Sequence, residues 1–249
     1  MTALLNERKR YATNGQGFLL IINYTYDREG CEYDKKKLIN FFGRLNYRIA
    51  FFQNLQKRQL LDGLRALPDI LDRGEYYCFV CVIMGHGNKK GIMTADTNEL
   101  KIIGIKKILD IFDNRRLKTF AGKYMHLNEL QYKLDDAGKK ENSNANASTC
   151  TKDATNTSES NEMEILPPSG SDMVTFYSTV KGFVSKRYPD GGTVFIQNVL
   201  RTFEQHHCLL DVETMMKMAS RRIQRTHRQV PLFCTTLSRK FHFIYCPRW

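Results

Sequence analysis

Apolar runs of strand length alternate with helix-period patterns along the first half of the chain. The apolar runs lie at 17–24, 47–52 and 77–84, and the helix-period patterns lie at 34–45, 57–71 and 103–112. Within the second helical pattern, Pro68 is a candidate break. Alternation of strands and helices predicts an α/β fold, with a largely parallel sheet and helices on both of its faces.

The first helical pattern also predicts which of its residues are buried. Its apolar positions fall on one side of a helix and are Leu38, Ile39, Phe41, Phe42 and Leu45. We therefore expect this side to pack on the sheet.

A fourth strand-length segment, KYMHLNEL at 123–130, follows the third helical pattern and has an unusual composition. A strand inside a parallel sheet is normally an almost continuous apolar run. This one contains His126, Asn128 and Glu129. We expect a strand that is shifted, frayed or rebuilt, followed by a disordered loop.

The composition changes after residue 136. Residues 137–170 are rich in Asn, Ser and Thr, and 142–162 contain no Leu, Ile, Val or aromatic residue, so a disordered linker is predicted. Beyond it, strands are predicted at 173–179 and 231–237, and helices at 193–205 and 212–224. This second part has too little apolar material for a separate core, so we expect it to complete the first sheet.

Composition narrows the class of protein. Among 249 residues, 42% are hydrophobic, but no apolar run has the length of a membrane span. The N-terminus has no apolar core of signal-peptide length, so a cytosolic or nuclear protein is expected. The seven cysteines are scattered, and no second pair completes a zinc site with Cys78 and Cys81. We expect no disulfide framework, no metal and no cofactor.

The net charge of +12 raises the question of an acidic partner. The densest basic cluster, MASRRIQRTHRQ at 218–229, lies in a helical pattern whose charges could form a solvated face. No nucleic-acid motif accompanies it, so nucleic-acid binding is not expected from the sequence. A basic interaction module for an acidic protein or nucleic acid stays open as an alternative.

Three residues with catalytic or binding chemistry follow predicted strands. His86, between Gly85 and Gly87, ends the most apolar run and suits general-base chemistry, although a structural loop His fits equally well. Arg28 and Arg187 each follow a strand of their own half. If they converge at one sheet edge, they could bind a carboxylate, whereas each taken singly is an ordinary surface Arg.

Longer segments make the chain resemble the caspase family. They are DREGCEYD, CFVCVIMGHG, FYSTVKGFVSKRYPDGGTVFIQ and QVPLFCTTLSRKFHF, and the resemblance runs in order through residues 11–249. It implies a three-layer sandwich built on a mostly parallel six-stranded sheet. Since only about ten residues precede the matching region, we expect no prodomain. The resemblance also implies a large-subunit-like region at 1–136, an intersubunit linker at 137–170 and a small-subunit-like region at 171–249, together forming one domain.

The resemblance assigns roles by position. His86 matches the catalytic His, and Gly87 matches the Gly whose backbone N–H helps to form the oxyanion hole. Arg28 and Arg187 match the arginines that bind the substrate aspartate. Lys186 stands where the family often has a Trp that lines the neighbouring pocket.

The family's nucleophile has no counterpart in this sequence. Aligned without gaps, the cysteine position falls on Tyr132 and the position of a substrate-binding Gln falls on Leu130. No cysteine occurs from Val82 to Thr149. A phenol with a pKa of about 10 is a poor substitute for a thiol. Cys150, within the predicted linker, is not placed to replace it.

The sequence therefore predicts a catalytically dead caspase homologue. The resemblance implies pairing with an active caspase, or with a second copy, through the last strand and its exit, which contain Leu232, Phe233, Cys234, Thr235 and Thr236. Activation of a cytoplasmic partner is favoured, and inhibition stays open. Asp153, in a poor context for caspase cleavage, predicts no self-processing. An active Asp-directed protease of altered mechanism is the alternative.

Overall fold

The computed structural model describes residues 11, 15–74, 76–88, 90–96, 102–112, 117, 124–132, 172–180 and 183–243, and for 124–132 it describes the backbone alone. The predicted linker at 137–170 and the loop predicted after 132 lie outside these residues. The division into a large-subunit-like region, a linker and a small-subunit-like region therefore stays a prediction.

Ten strands and five helices are present in the described residues. The strands are β1 Gln16–Asn23, β2 Arg48–Gln53, β3 Tyr76–Asn88, β4 Gly91–Met93, β5 Ile102–Ile103, β6 Tyr124–Tyr132, β7 Met173–Tyr177, β8 Arg187–Tyr188, β9 Gly192–Thr193 and β10 Leu232–Thr235. The helices are α1 Cys31–Arg44, α2 Lys57–Arg73, α3 Ile105–Leu109, α4 Val194–His206 and α5 Val212–His227, and a 3-10 turn spans Asp110–Phe112.

Six strands form the main sheet in the order β10-β7-β6-β3-β1-β2. All neighbours are parallel except β10 and β7, which run antiparallel. The short strands β4 and β5 extend from the end of β3, and β8 pairs separately with β9. The mostly parallel six-stranded sheet predicted from the sequence is therefore confirmed, and the second part of the chain completes it through β7 and β10.

Alternating side chains of the central strands feed two cores on opposite faces of the sheet. Leu19, Ile21, Val80 and Val82 pack with α1, α4 and α5 on one face. Leu20, Ile22, Phe79 and Ile83 pack with α2, α3 and the 3-10 turn on the other face. Because both faces are covered, these strands are continuous apolar runs. The predicted three-layer arrangement with helices on both faces is confirmed.

The same alternation separates the two cysteines of the CxxC sequence. Cys78 packs in one core and Cys81 packs in the other. Three residues apart on an extended strand, their thiols point to opposite faces and cannot converge on one ion. Within the described ranges, no group of three His, Cys, Asp or Glu residues could hold a metal.

Ile39 was expected in the buried face of the first helix, and this prediction is wrong. Ile39 is 37% exposed, whereas Leu38, Phe41, Phe42 and Leu45 are buried. Helix α1 starts three residues earlier than predicted, and its buried stripe begins with Cys31 and Asp34. Since Asp34 occupies part of the inward face, Ile39 is left at its margin.

Two further predictions about helices need correction. Pro68 is buried inside α2, and the helix continues through it to Arg73. The segment 103–112, expected to be one helix, is divided: Ile102 and Ile103 pair with β4, α3 covers Ile105–Leu109, and the 3-10 turn follows. The strand pairing uses Ile103, which a helical pattern had assigned to its own first turn.

The backbone of β6 is regular, contrary to the expectation of a frayed strand. It pairs in parallel with β3 from Tyr124 to Tyr132 and with β7 from Tyr124 to Asn128. Backbone hydrogen bonding to two neighbours holds an extended conformation whatever the side chains are.

Among the described residues, no helix is both long and apolar enough to cross a membrane.

Candidate active site

His86 lies near the carboxyl end of β3 and is 7% exposed. Its Nε2 is 3.1 Å from the backbone carbonyl oxygen of Asp27. A carbonyl oxygen can only accept, so Nε2 carries the proton and donates it in this bond. In the neutral ring, Nδ1 then holds the lone pair and is the nitrogen suited to act as a base.

Arg28 is held in the turn that follows β1. Its Nη1 donates to the side-chain oxygen of Asn23 at 3.1 Å and to the carbonyl oxygen of Tyr24 at 2.8 Å. Arg28 as a whole is 3% exposed. The turn includes Asp27 at a positive φ of 51°, a conformation that Asp tolerates better than most residues. One turn thus places both the Arg28 side chain and the carbonyl that orients His86.

Arg187, at the start of β8, shares a cavity with Arg28. This cavity has a volume of about 250 Å³ and is lined by Asp27, Arg28, Glu29, Arg187 and Pro189. Nε and Nη2 of Arg187 are buried and have no hydrogen-bond partner in the described part of the chain. Buried guanidinium nitrogens without partners favour an anionic ligand. The two arginines predicted from the sequence do lie together.

Asp34 positions the strand that carries Arg187. Its carboxylate accepts hydrogen bonds from the backbone N–H of Thr193 at 3.0 Å and from Nε2 of Gln197 at 3.0 Å. Burial raises the pKa of Asp34, and these hydrogen bonds together with the charge of Arg187 oppose the rise. The carboxylate joins α1 to the β8–β9 hairpin and the start of α4.

Gly30 allows the turn of Arg28 to approach the turn after Arg187. It has a φ of +78°, and a Cβ built on it would lie 2.6 Å from the carbonyl oxygens of Tyr188 and Pro189. Only glycine fits this position without strain. The close approach brings Arg28 and Arg187 to one cavity.

Lys186 does not line this cavity. Its ammonium donates to the carbonyl oxygen of His227 at 2.6 Å, and its backbone N–H donates to Oε1 of Gln229 at 2.9 Å. Gln229 is 3% exposed and also donates to the carbonyl oxygen of Ser178 at 2.7 Å. Gln229 therefore anchors the segment that leads into Arg187, while Lys186 caps α5. The binding role expected for Lys186 stays a prediction.

The register of β6 shows what stands beside His86. His86 is opposite Gln131, Gly87 is opposite Tyr132, and Gly85 is opposite Leu130. The backbone of the positions matched to the nucleophile and to the Gln thus ends at the same edge as His86. The sequence supplies a phenol at Tyr132 and an aliphatic side chain at Leu130.

The predicted interface strand, β10, forms one edge of the main sheet. Leu232 is 43% exposed, and Cys234 and Thr235 are exposed as well. Phe233 points inward, with its ring centroid 5.8 Å from that of Phe176. Thr236 follows the strand, and its hydroxyl accepts from the backbone N–H of Met173 at 3.0 Å. Within the described sheet, the outer side of β10 pairs with no other strand.

Sequence reasoning missed several residues that build the site. Asn23 holds Arg28 and is fully buried at the end of an apolar run, which was a readable signal. Asp34 was part of the quoted DREGCEYD segment but had no assigned role. The Asp27 carbonyl and Gln229 gave no signal, because the first acts through its backbone and the second comes close only in the fold.

The sheet, with a histidine and two arginines at one edge, defines a three-layer α/β fold of the cysteine-protease type. The sequence model described as "Caspase domain" matches residues 16–242, and the chain belongs to the caspase family. It is 23% identical to chicken (Gallus gallus) caspase-6 over 260 residues, covering 94% of this chain and 83% of that protein. It is 26% identical to Xenopus laevis caspase-3 over 253 residues, covering 96% and 84%. Drosophila melanogaster caspase Dronc is 24% identical over 234 residues, covering 88% of this chain and 52% of Dronc.

Proposed function

We propose that this chain is a catalytically inactive caspase homologue that regulates an active caspase by pairing with it. The observation that carries the proposal is the absence of cysteine from Val82 to Thr149. The strand that ends beside His86 lies wholly within this interval. A caspase needs a thiol at that point, and this chain does not encode one there.

The chemical consequence is a loss of the nucleophile. A thiol has a reference pKa of about 8.5 and forms a reactive thiolate near neutral pH, whereas a phenol has a pKa of about 10 and is far less reactive. His86 has its Nε2 proton engaged by Asp27 and its ring oriented for base chemistry. A base without a nucleophile to activate does not complete a catalytic dyad.

The anion pocket persists in this proposal. Arg28 and Arg187 line one cavity, so an aspartate side chain is attracted there. Leu130 offers no hydrogen bonds in place of the family's Gln, which weakens binding by about 1–3 kcal/mol in a desolvated site. We therefore propose weak binding of acidic peptides and no turnover.

Regulation is proposed to act through β10, at the edge of the main sheet. Antiparallel pairing of this edge with the same edge of an active caspase joins two sheets by backbone hydrogen bonds. A partner that binds the active conformation more tightly than the inactive one raises its population. We propose activation in the cytoplasm, with inhibition as the opposite outcome of the same pairing and self-pairing as the competing assembly.

The catalytic part is tested with the purified chain and fluorogenic peptides that end in aspartate. The expected result is no turnover above that of His86→Ala. Turnover that His86→Ala abolishes would overturn the proposal and would favour a protease of altered mechanism. Activity that is equal in both proteins identifies a contaminating protease.

The pairing part is tested by co-expression with active caspases of the same organism. Leu232→Arg is expected to abolish the complex and its effect on partner activity, because a charge and a bulky side chain enter the pairing edge. Ile70→Arg on α2 is the matched control, since Ile70 is 46% exposed and Leu232 is 43% exposed. The same complex with Leu232→Arg as with the original chain, or no complex with any caspase, would contradict the proposal.

A further inference from the structure

The exposed side of α5 carries a straight row of cations. Lys217, Arg221 and Arg225 are each four residues apart, and Arg228 follows at the helix C-cap. All four are exposed. Four residues advance an α-helix by about 6 Å and slightly more than one turn, so the side chains stand above one another on one face. We call these four residues the basic row.

The charge of this row is not balanced within its helix. Helix α5 has four Lys or Arg residues and one acidic residue, Glu213, which lies in the first turn. On α2, by contrast, Arg58 and Arg65 both pair with Asp62, at 3.8 Å and 3.3 Å. Among the described residues, no ion pair involves a member of the basic row. The two faces of the molecule thus differ in how their cations are neutralised.

Neighbouring helices extend the positive face. Helix α5 packs against α4, and α4 packs against α1. The cleft between α1 and α4 has a volume of about 520 Å³, and Lys37, Arg44 and Arg201 are among its lining residues. Arg44 pairs with Glu204 at 2.8 Å, whereas Lys37 and Arg201 form no ion pair within the described ranges. The layer that holds α1, α4 and α5 is therefore basic beyond α5 itself.

We propose that the basic row binds the phosphate backbone of a nucleic-acid duplex. A duplex carries one negative charge per about 1.7 Å of its axis, so cations about 6 Å apart along the row can each meet a phosphate. Three of the four cations are arginines, whose guanidinium groups bind phosphate through two parallel hydrogen bonds. The row lies along a convex helix rather than in a pocket, which suits an extended polyanion. Backbone contacts of this kind carry no sequence preference.

From the sequence alone, the cations of this helix could equally form a solvated face that binds no ligand. The structure adds the exposure of all four side chains and their alignment. It also adds the contrast with the ion-paired α2. The inference stands independently of the proposed regulation of a caspase, since β10 takes no part in it.

The experiment measures fluorescence anisotropy of labelled duplexes with the full chain over a range of salt concentrations. Arg221→Glu combined with Arg225→Glu is expected to weaken binding strongly. It is also expected to reduce the slope of log K against log salt by about 2, because each lost phosphate contact removes about 0.9. Arg58→Glu combined with Arg73→Glu, on α2, makes the same change in net charge and is expected to retain binding. Circular dichroism melting verifies that both variants are folded.

Three outcomes would overturn the inference: no binding by the original chain, equal losses in both double variants, or complete displacement of the duplex by polyglutamate at equal charge. The last outcome would identify the row as a site for acidic polypeptide. DNA and RNA duplexes of one sequence form separate arms, and preference for either supports the inference and identifies the nucleic acid.

Discussion

Gly30 allows the two arginines of the candidate site to lie together, because it has no Cβ at the point where two backbone segments meet. The turn of Arg28 approaches the backbone of Tyr188 and Pro189 at this position. Backbone atoms cannot move aside as a flexible side chain can. At the scale of a single residue, the anion cavity thus depends on the lack of a Cβ as much as on the guanidinium groups.

Substitution of Gly30 by alanine is expected to lower the free energy of unfolding by about 1–3 kcal/mol, because Ala is strained at positive φ and meets two carbonyl oxygens. Urea unfolding at neutral pH measures this loss. Gly43→Ala is the matched control: nothing lies within 4 Å of its added Cβ, and it is in a helix, so a gain of up to about 1 kcal/mol is expected. Equal effects of the two substitutions would contradict the assignment.

A residue of the site could be predicted from the sequence when the pattern of its neighbours along the chain revealed its position. His86 and Arg28 follow apolar strands, and their position at the sheet edge was readable. Asn23 was readable in retrospect as a polar residue in a buried run. Gln229 was not, because its partners Ser178 and Lys186 come from another segment that only the fold brings close.

At the scale of elements, strands with both faces buried were predicted best, since their apolar runs are unmistakable. The short strands β4, β5, β8 and β9 have two or three residues each and were not predicted. These strands form only because they pair with a neighbouring strand, and two or three residues are too few to show a period in the sequence. Ile103 shows the result, because a helical pattern absorbed a residue that pairs with β4.

Helix α5 begins at an N-cap that is sensitive to pH. Asp211 accepts hydrogen bonds from the N–H of Thr214 at 2.9 Å and from its hydroxyl at 2.8 Å. Burial acts to raise the pKa of Asp211, but these bonds, with Lys240 and His242, outweigh it and hold the pKa below its ordinary value. Because the pKa of Asp211 is lower in the folded than in the unfolded chain, ionised Asp211 stabilises the fold. This contribution is complete above the unfolded pKa of about 3.9 and is lost as pH falls through the folded pKa.

Asp211→Ala is therefore expected to cost about 1 kcal/mol at pH 7, as for other N-cap losses. Asp211→Asn retains a capping oxygen but cannot ionise, and it is expected to cost less. Urea unfolding at pH 7 and at pH 3 measures both. The difference in free energy of unfolding between the original chain and Asp211→Asn is expected to shrink at the lower pH. A difference that does not change with pH would contradict a lowered pKa of Asp211 in the folded protein.

At the scale of the whole molecule, the two parts of the chain share the core on one face of the sheet. Phe41 of α1 packs against Phe203 of α4, with ring centroids 5.9 Å apart, and β7 pairs with β6. Neither part covers its own apolar surface. The sequence pointed to one domain in spite of a change in composition after residue 136, because the second part has too little apolar material for a core of its own.

Residues 1–171 and 172–249 expressed as separate chains are expected to fold only together. Each chain alone exposes half of the shared core, so neither is expected to unfold cooperatively, whereas the co-purified pair is. Circular dichroism melts compare the pair with the intact chain. Cooperative unfolding of 172–249 alone would show that the second part is an independent domain.

The position of β10 at the end of the sheet has a consequence for the size of any assembly. If two copies join edge to edge through β10, a two-fold axis relates them and each contributes the same strand. The outer ends of the joined sheet are then both β2, and no β10 remains to recruit a third chain. Growth through this edge stops at two, so the open strand leads to a closed pair rather than to a fibre.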